Sequence, residues 1–238
     1  MYDSETVLLD DGSARLGDVA ARRPIRAQVE NSNSDWDAIG VRALDIIVSI
    51  LALIFLAPLL IFVAVAVYVT DPGPIFFAHR RIGRNGQAFP CLKFRSMVID
   101  ADRRLSELLS MDSHARFEWE QDHKLRNDPR ITAIGAFLRR SSIDELPQLM
   151  NVLRGEMSIV GPRPIVEDEI VRYGRKFKMY CRVRPGITGL WQVSGRNDIS
   201  YRRRVACDVI YARSKSLKLD LKIILMTLPA VLHAKGSY

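Results

Sequence analysis

Two acidic side chains stand side by side at Asp144 and Glu145, with Arg139 and Arg140 just before them and Arg163 nineteen residues after Asp144. Adjacent like charges repel, and a fold usually avoids placing them together in a confined site. They become useful when a cation sits between them or when one of them must attack something. With arginines on both sides, the pair suggests chemistry on a phosphate, with Mg²⁺ neutralising what the arginines do not. Read alone, Asp144-Glu145 is also an ordinary acidic pair at the start of a helix, where the helix dipole keeps both ionised. The neighbouring cations shift the balance toward a site.

Those cations come in distinct settings. Lys93 and Arg95, in Lys93-Phe94-Arg95-Ser96-Met97, are two apart on an expected strand and so point the same way, which suits gripping a phosphate or diphosphate. Arg163 sits in Gly161-Pro162-Arg163-Pro164, where flanking prolines restrict its backbone and lower the entropy cost of presenting its guanidinium. Arg184 opens a glycine-rich run, Arg184-Pro185-Gly186-Ile187-Thr188-Gly189-Leu190-Trp191, and is counted with the phosphate-binding cations. Trp191 is available there to stack on a base or sugar. The run lacks the spacing of a P-loop or of G-x-G-x-x-G. Ser194 is not in G-x-S-x-G, which disfavours a serine hydrolase. Three scattered cysteines and four histidines without ligand spacing indicate neither a zinc site nor a disulfide framework.

The elements that must position these residues follow from charge and apolar patterning. The chain has 238 residues and a net charge of +8, distributed unevenly. Residues 1–44 hold eight acidic and five basic side chains, and residues 71–238 hold 30 basic against 18 acidic. The basic part expects an anionic partner: nucleic acid, an anionic lipid surface or phosphorylated substrates. Residues 1–37 read as a polar, mobile tail, and no secretory signal peptide is expected. Ile46 to Val69 carries no charge and is long enough, as a helix of ~1.5 Å rise per residue, to cross a ~30 Å hydrocarbon core. Pro58 sits near its middle, and basic residues flank both ends (Arg22, Arg23, Arg26 and Arg42; Arg80, Arg81 and Arg84). A spanning helix should show a bias to one side. The pattern predicts a membrane anchor over residues 38–71 that enters, breaks at Pro58 and returns; a kinked span is the alternative reading.

Residues 72–238 are expected to form one cytoplasmic catalytic domain. Asn85-Gly86 between two semi-alternating runs predicts a hairpin of 76–82 with 87–94. Helical spacing predicts one or two surface helices in 99–125, then helices over 132–140, 144–154, 167–181 and 200–213. The apolar stretch 217–232 is too short to span and suits a helix lying at the membrane surface. The fold class is therefore mainly α with a small β-hairpin, on a monotopic membrane protein. Apolar faces on the interfacial helices leave a homodimer open.

Taken together, these segments resemble the bacterial polyprenyl-phosphate sugar-1-phosphate transferases with a single membrane anchor. The motifs that carry the resemblance run in order from about Arg42 to about Leu232: an apolar anchor with a central proline, Pro72-Gly73-Pro74-Ile75-Phe76-Phe77, Lys93-Phe94-Arg95-Ser96-Met97, Asn127-Asp128-Pro129-Arg130, Asp144-Glu145-Leu146-Pro147-Gln148, Gly161-Pro162-Arg163-Pro164 and Arg184-Pro185-Gly186-Ile187-Thr188-Gly189. The wording around 117–130 is most similar to the galactosyl- and glucosyl-phosphate transferases of exopolysaccharide production. One departure is Ala57, where family members often have Ser before the proline; a serine hydroxyl could bond a freed carbonyl at the break.

The resemblance implies transfer of a hexose-1-phosphate from a UDP-sugar to undecaprenyl phosphate, with release of UMP, at the start of exopolysaccharide repeat-unit assembly. It implies Asp144 as nucleophile of an aspartyl-phosphosugar intermediate and Glu145 as the holder of Mg²⁺. Lys93, Arg139 and Arg163 would hold phosphates, and the catalytic domain would sit on the cytoplasmic face of the bacterial inner membrane. Nucleic acid is not an expected partner. Two other readings make different predictions. A membrane-anchored basic module binding acidic lipid or nucleic acid would be indifferent to Asp144 and would lose binding with salt. A nucleotide-sugar hydrolase would turn over without a lipid acceptor.

Overall fold

The computed structural model describes residues 35–122, 125–194 and 199–232; most of the expected N-terminal tail lies outside them. The described residues are mainly helical with two small pairs of strands. A 36-residue helix, α1 (Asp35–Thr70), carries the whole apolar run, with Pro58 inside it. It is the one described helix long and apolar enough to cross a membrane. Its middle presents Leu51, Ile54, Phe55, Ile61 and Phe62 outward, Phe55 at 83% exposure, so this surface has no cover among the described residues.

Two sets of contacts bind α1 to the rest of the chain. Near its start Asp45 is buried, and its Oδ1 accepts from Ser158 Oγ at 2.9 Å and from the Ile159 amide at 2.8 Å. One turn earlier Arg42 donates to the carbonyls of Val152 and Leu153 at 2.7 and 2.9 Å. Near its end Val63 and Val67 pack with Phe94 and Leu138. Both halves of the apolar helix therefore rest on the body that holds Asp144.

The expected hairpin forms. Strands β1 (Phe76–Ile82) and β2 (Ala88–Phe94) pair antiparallel with Phe77 opposite Lys93, and Asn85 takes the left-handed conformation at φ 59° that the Asn-Gly turn requires. Helices α2 (Ala101–Met111) and α3 (Ser113–Asp122) follow, then α4 (Ala133–Ser141), capped by the Thr132 hydroxyl on the Gly135 amide. α5 (Gln148–Arg154) begins only after Pro147. The expected 144–154 helix is thus shorter, and its first two residues, Asp144 and Glu145, belong to a tight 3₁₀ turn, Ile143–Glu145. The expected 167–181 helix is likewise broken: α6 (Ile170–Tyr173) and α7 (Phe177–Tyr180) are separate turns, because Gly174 at φ 49° ends the first.

A second pair of strands was not legible in advance. β3 (Ser158–Val160) runs parallel to β4 (Gly186–Thr188), each three residues long. Its tightness explains the glycines of both motifs. A Cβ at Gly186 would lie 2.0 Å from the Gly161 nitrogen, and one at Gly189 would lie 2.2 Å from the Gly161 oxygen. The backbones cross in direct contact, and only glycine allows it. α8 (Leu190–Ser194), α9 (Tyr201–Ser214) and α10 (Leu217–Leu232) close the fold. The main core joins β2, α5, β3 and the closing helices through Cys91, Leu149, Val152, Met157, Val160, Tyr211 and Ile223, with Val48, Ala52 and Leu53 of α1 packed against it.

The Asp45 contact gives a direct test of α1 as part of this core. Asp45→Ala leaves the Ser158 hydroxyl and the Ile159 amide buried without an acceptor and is expected to cost about 2 to 4 kcal/mol. Asp45→Asn keeps an acceptor oxygen and should lose less. Thermal unfolding in detergent, with the wild type in parallel, reads the difference.

Candidate active site

Asp144 and Glu145 are held by what lies on either side of them. The left-handed Ser142, at φ 58°, turns the chain sharply out of α4, and Pro147 bounds the segment on the other side. Asn151 of α5 then ties this segment to the hairpin: its Oδ1 accepts from the Leu92 amide at 2.9 Å, and its Nδ2 donates to the Pro90 carbonyl at 2.7 Å. That clamp sets α5 against β2 and brings Lys93 to the acidic pair. Lys93 Nζ lies 2.7 Å from Glu145 Oε1 and 3.5 Å from Asp144 Oδ2. The cation required between two adjacent carboxylates is thus supplied by the protein itself.

The two acids respond differently. Burial pushes the Asp144 carboxyl above the ordinary range, against the pull of Lys93 and Arg139 and with the push of Glu145. At Glu145 burial also acts upward, but Lys93, Arg163 and Arg81 outweigh it and hold the carboxyl below the ordinary range. One member is thus a firmly ionised anion. The other is a desolvated carboxylate, less stabilised where it stands and better suited to attack.

A pocket opens on the Glu145 side. Its wall includes Arg81, Lys93, Glu145, Gln148, Arg163 and Gln192. Arg163 is exposed between buried Pro162 and Pro164. Arg81 was not among the expected site residues; on sequence it counts only with the basic residues that flank the apolar run. Its guanidinium is mostly covered, donating to the Pro164 carbonyl at 3.3 Å and lying 3.9 Å from Glu169. Gln192 was also missed: its Nε2 donates to the Ile187 carbonyl at 3.0 Å, while its buried Oε1 has no partner among the described residues. Cys91 lines the same pocket, but burial pushes its thiol up to about 11, which keeps it protonated and a poor nucleophile.

The remaining expected residues are distributed as follows. Arg139, in the last turn of α4, is exposed and donates from Nε to Ser96 Oγ at 2.8 Å; its charge is felt at Asp144. Arg95 leaves the strand and turns to Asp71, bonding its carbonyl and lying 3.6 Å from its carboxylate, so it fastens the end of α1 rather than the pocket. Arg184 donates to the Gly155 carbonyl at 2.8 Å and is not on the pocket wall. Trp191 is buried under the Arg204 guanidinium, 4.7 Å from its ring centre, so it is not free to stack on a base.

Mg²⁺ can be tested against the donors present. Asp144 and Glu145 offer hard oxygens, and the described residues contain no group of three or more potential protein ligands. That donor set fits a Mg²⁺ ion that completes its coordination with water and substrate phosphate, as this metal commonly does.

The family model for bacterial sugar transferases matches residues 36–234. The chain is 53% identical over 200 residues to the exopolysaccharide production protein ExoY of Sinorhizobium fredii, covering 84% of this chain and 88% of that protein. It is 52% identical over 197 residues to the undecaprenyl-phosphate galactose phosphotransferase of Salmonella typhimurium, covering 83% of this chain and 41% of the relative. It is 39% identical over 235 residues to the undecaprenyl-phosphate glucose phosphotransferase of Komagataeibacter xylinus, covering 92% of this chain and 39% of the relative.

Lys93 is the first charge that draws each carboxyl down. Lys93→Gln is therefore expected to raise the titration midpoints of both acids. Carboxyl ¹³C titration of labelled protein should show both moving to higher pH; an unmoved pair would mean that the ammonium does not control them.

Proposed function

Because the chain belongs to the bacterial sugar transferase family, we propose that it moves a hexose-1-phosphate from a UDP-sugar to undecaprenyl phosphate, releasing UMP and starting the assembly of an exopolysaccharide repeat unit. The observation that carries the mechanism is the asymmetric pair: a desolvated Asp144 beside an ionised Glu145, both within reach of Lys93.

An Asp144 oxygen attacks the phosphorus that bears the sugar. The bond to the bridging oxygen breaks, and UMP leaves with that oxygen. In the second step an oxygen of the lipid phosphate attacks the same phosphorus, and the Asp144 carboxylate is released. Splitting the reaction avoids a direct encounter between an anionic lipid phosphate and an anionic diphosphate. Lys93, Arg163 and Arg81 supply fixed positive charge where charge builds on the phosphoryl oxygens. Mg²⁺, held by Glu145 with help from Asp144, would neutralise phosphate charge when bound. The arginines hold the diphosphate in the orientation that the attack needs.

The packing of α1 supports a re-entrant anchor. Its first half is bonded through Arg42 and Asp45 and its second half packs through Val63 and Val67, all on one body. A helix crossing a bilayer would carry these two sets to opposite sides. Pro58, which cannot donate the backbone hydrogen bond expected of a helix interior, stands between them. This arrangement keeps the site level with the lipid phosphate, on the cytoplasmic face of the inner membrane where a nucleotide sugar is available. The names of relatives include both galactose and glucose, so the donor is UDP-galactose or UDP-glucose.

The test uses purified protein in nanodiscs with Mg²⁺, undecaprenyl phosphate and each UDP-sugar in turn, following UMP. Turnover should require the lipid, should fall by about a thousandfold or more in Asp144→Asn, and should stop when the metal is chelated. Steady UMP release without lipid would mean hydrolysis, and UDP release would mean ordinary glycosyl transfer. Full turnover in Asp144→Asn would remove the nucleophile assignment. The anchor has its own test: single cysteines at Ala38 and Thr70, in protein lacking its native cysteines, should both react from the cytoplasmic side, whereas a spanning helix would split them.

A further inference from the structure

Tyr180, the last residue of α7, is buried and is not on the pocket wall, yet its hydroxyl joins the two segments that carry the pocket arginines. Tyr180 Oη donates to the Ile82 carbonyl at 2.6 Å, one residue after Arg81 at the end of β1. It accepts from the Ile165 amide at 3.3 Å, two residues after Arg163. The Arg163 carbonyl stands 3.4 Å away as a longer second acceptor. The Ile82 amide donates to the Ile165 carbonyl at 2.8 Å, so a backbone bridge and a phenol fasten the same two segments. Arg81 itself donates to the carbonyl of Pro164, between Arg163 and Ile165.

The charges on these segments explain why they need fastening. Arg81 and Arg163 share the pocket wall. Burial first, and the Arg163 charge next, disfavour the cation at Arg81, while Glu169 and Glu145 favour it. Two guanidiniums on one wall repel, and that repulsion pushes apart the strand end and the loop that bear them. The phenol opposes this from a fixed base. Its ring meets Tyr173 edge to face at 5.2 Å and stacks on Phe177 at 6.0 Å. The next carbonyl, of Cys181, accepts from the Asn85 amide at 2.8 Å, which ties the end of α7 to the hairpin turn. Burial pushes the phenol well above its ordinary range, so the hydroxyl stays a donor at working pH.

We propose that Tyr180 is the positioning residue of the phosphate grip: its hydroxyl sets the Arg163 loop against β1 so that Arg163 and Arg81 meet one diphosphate together. This rests on the phosphate role proposed above for the two arginines. The ligand is the nucleoside diphosphate part of the sugar donor. A monophosphate can be held by one guanidinium wherever that guanidinium stands. A diphosphate gains from the second only when the separation of the two is set before binding, because otherwise their ordering must be provided by the binding itself. The Tyr180 hydroxyl is engaged by backbone on both sides, so it acts through the arginines and not on the substrate.

Titration calorimetry of the full chain in nanodiscs with Mg²⁺, using UDP and UMP as probes, tests this, because the ratio of their Kd values reads what the second phosphate gains. Tyr180→Phe keeps the ring and removes both hydroxyl bonds. It should weaken UDP about fivefold or more and leave UMP within about twofold. In an Arg163→Gln background the same change should have little further effect, since a spacing no longer matters once one of its ends is gone. Replacing Tyr180 with 4-aminophenylalanine, a weaker donor at the same place, should lower the UDP preference in smaller measure, and it decides the question if Tyr180→Phe does not fold. Equal weakening of UDP and UMP, or a full further loss in the Arg163→Gln background, would mean that Tyr180 only stabilises the fold and would overturn the proposal. UDP binding untouched by Arg163→Gln would instead overturn the phosphate role on which the proposal stands.

Discussion

Two neighbouring carboxylates must share one partly desolvated place, and the rest of the structure is organised around making that tolerable. Unpaired charges in such a place would take up protons or unfold the site. The protein meets the constraint with a single ammonium, Lys93, within 3.5 Å of both acids. Lys93 belongs to β2, whereas Asp144 and Glu145 belong to a 3₁₀ turn fifty residues later. Their meeting depends on Asn151, whose carboxamide bonds both a strand amide and a strand carbonyl. A buried amide satisfied on both sides fixes register as well as proximity. Loosening it would separate the charge from its counter-charge, not merely remove one contact.

The same logic extends to the apolar helix, which is more than a tether. Arg42 bonds the last carbonyls of α5, where a helix end carries partial negative charge and accepts a cation favourably. Asp45 bonds the start of β3, from which the chain runs straight into Gly161-Pro162-Arg163. Two polar side chains at the foot of the helix therefore hold the element that follows the acidic pair and the strand that precedes Arg163. The position of the apolar helix and the spacing of the site are coupled through these bonds.

Much of this was legible in the sequence, and the exceptions have identifiable physical reasons. Asn85-Gly86 and the alternation around it specify a hairpin locally, so it formed as expected. The long apolar run specifies a helix by its composition alone. The β3–β4 pair was not legible because three residues give no periodicity; its signal lay in glycines whose necessity appears only when two distant backbones touch. The helix expected over 167–181 has the right apolar spacing, but Gly174 ends it locally, which a spacing argument does not weigh. In the site, Asp144, Glu145, Lys93 and Arg163 converge because each is backed by a short-range constraint: a tight turn, a strand or a proline frame. Arg95 follows from a simple alternation rule, yet β2 ends at Phe94, so the rule stops one residue too early and Arg95 turns to Asp71. Arg81 stands in an expected hairpin strand and Gln192 in the glycine-rich run, and their place on the pocket wall depends on neighbours that sequence spacing does not reveal.

The distribution of cations carries the argument one step beyond the list of residues. The charge of residues 71–238 reads as a generic attraction for anions, but in the fold it separates into distinct duties. Arg42, Arg95 and Arg184 are engaged by backbone carbonyls and act as mechanical ties. Arg130 is buried against Asp128 and under Trp119, and Arg204 lies over Trp191. Near the acidic pair, Arg163 and Arg139 are exposed, Arg163 on the pocket wall with its charge acting on Glu145 and Arg139 off that wall with its charge acting on Asp144. A guanidinium already satisfied by carbonyls has little left to offer a phosphate, since its fork of donors is fixed in number and direction. Phosphate binding at the acidic pair must therefore rest on the cations beside it whose donors are not already committed to carbonyls.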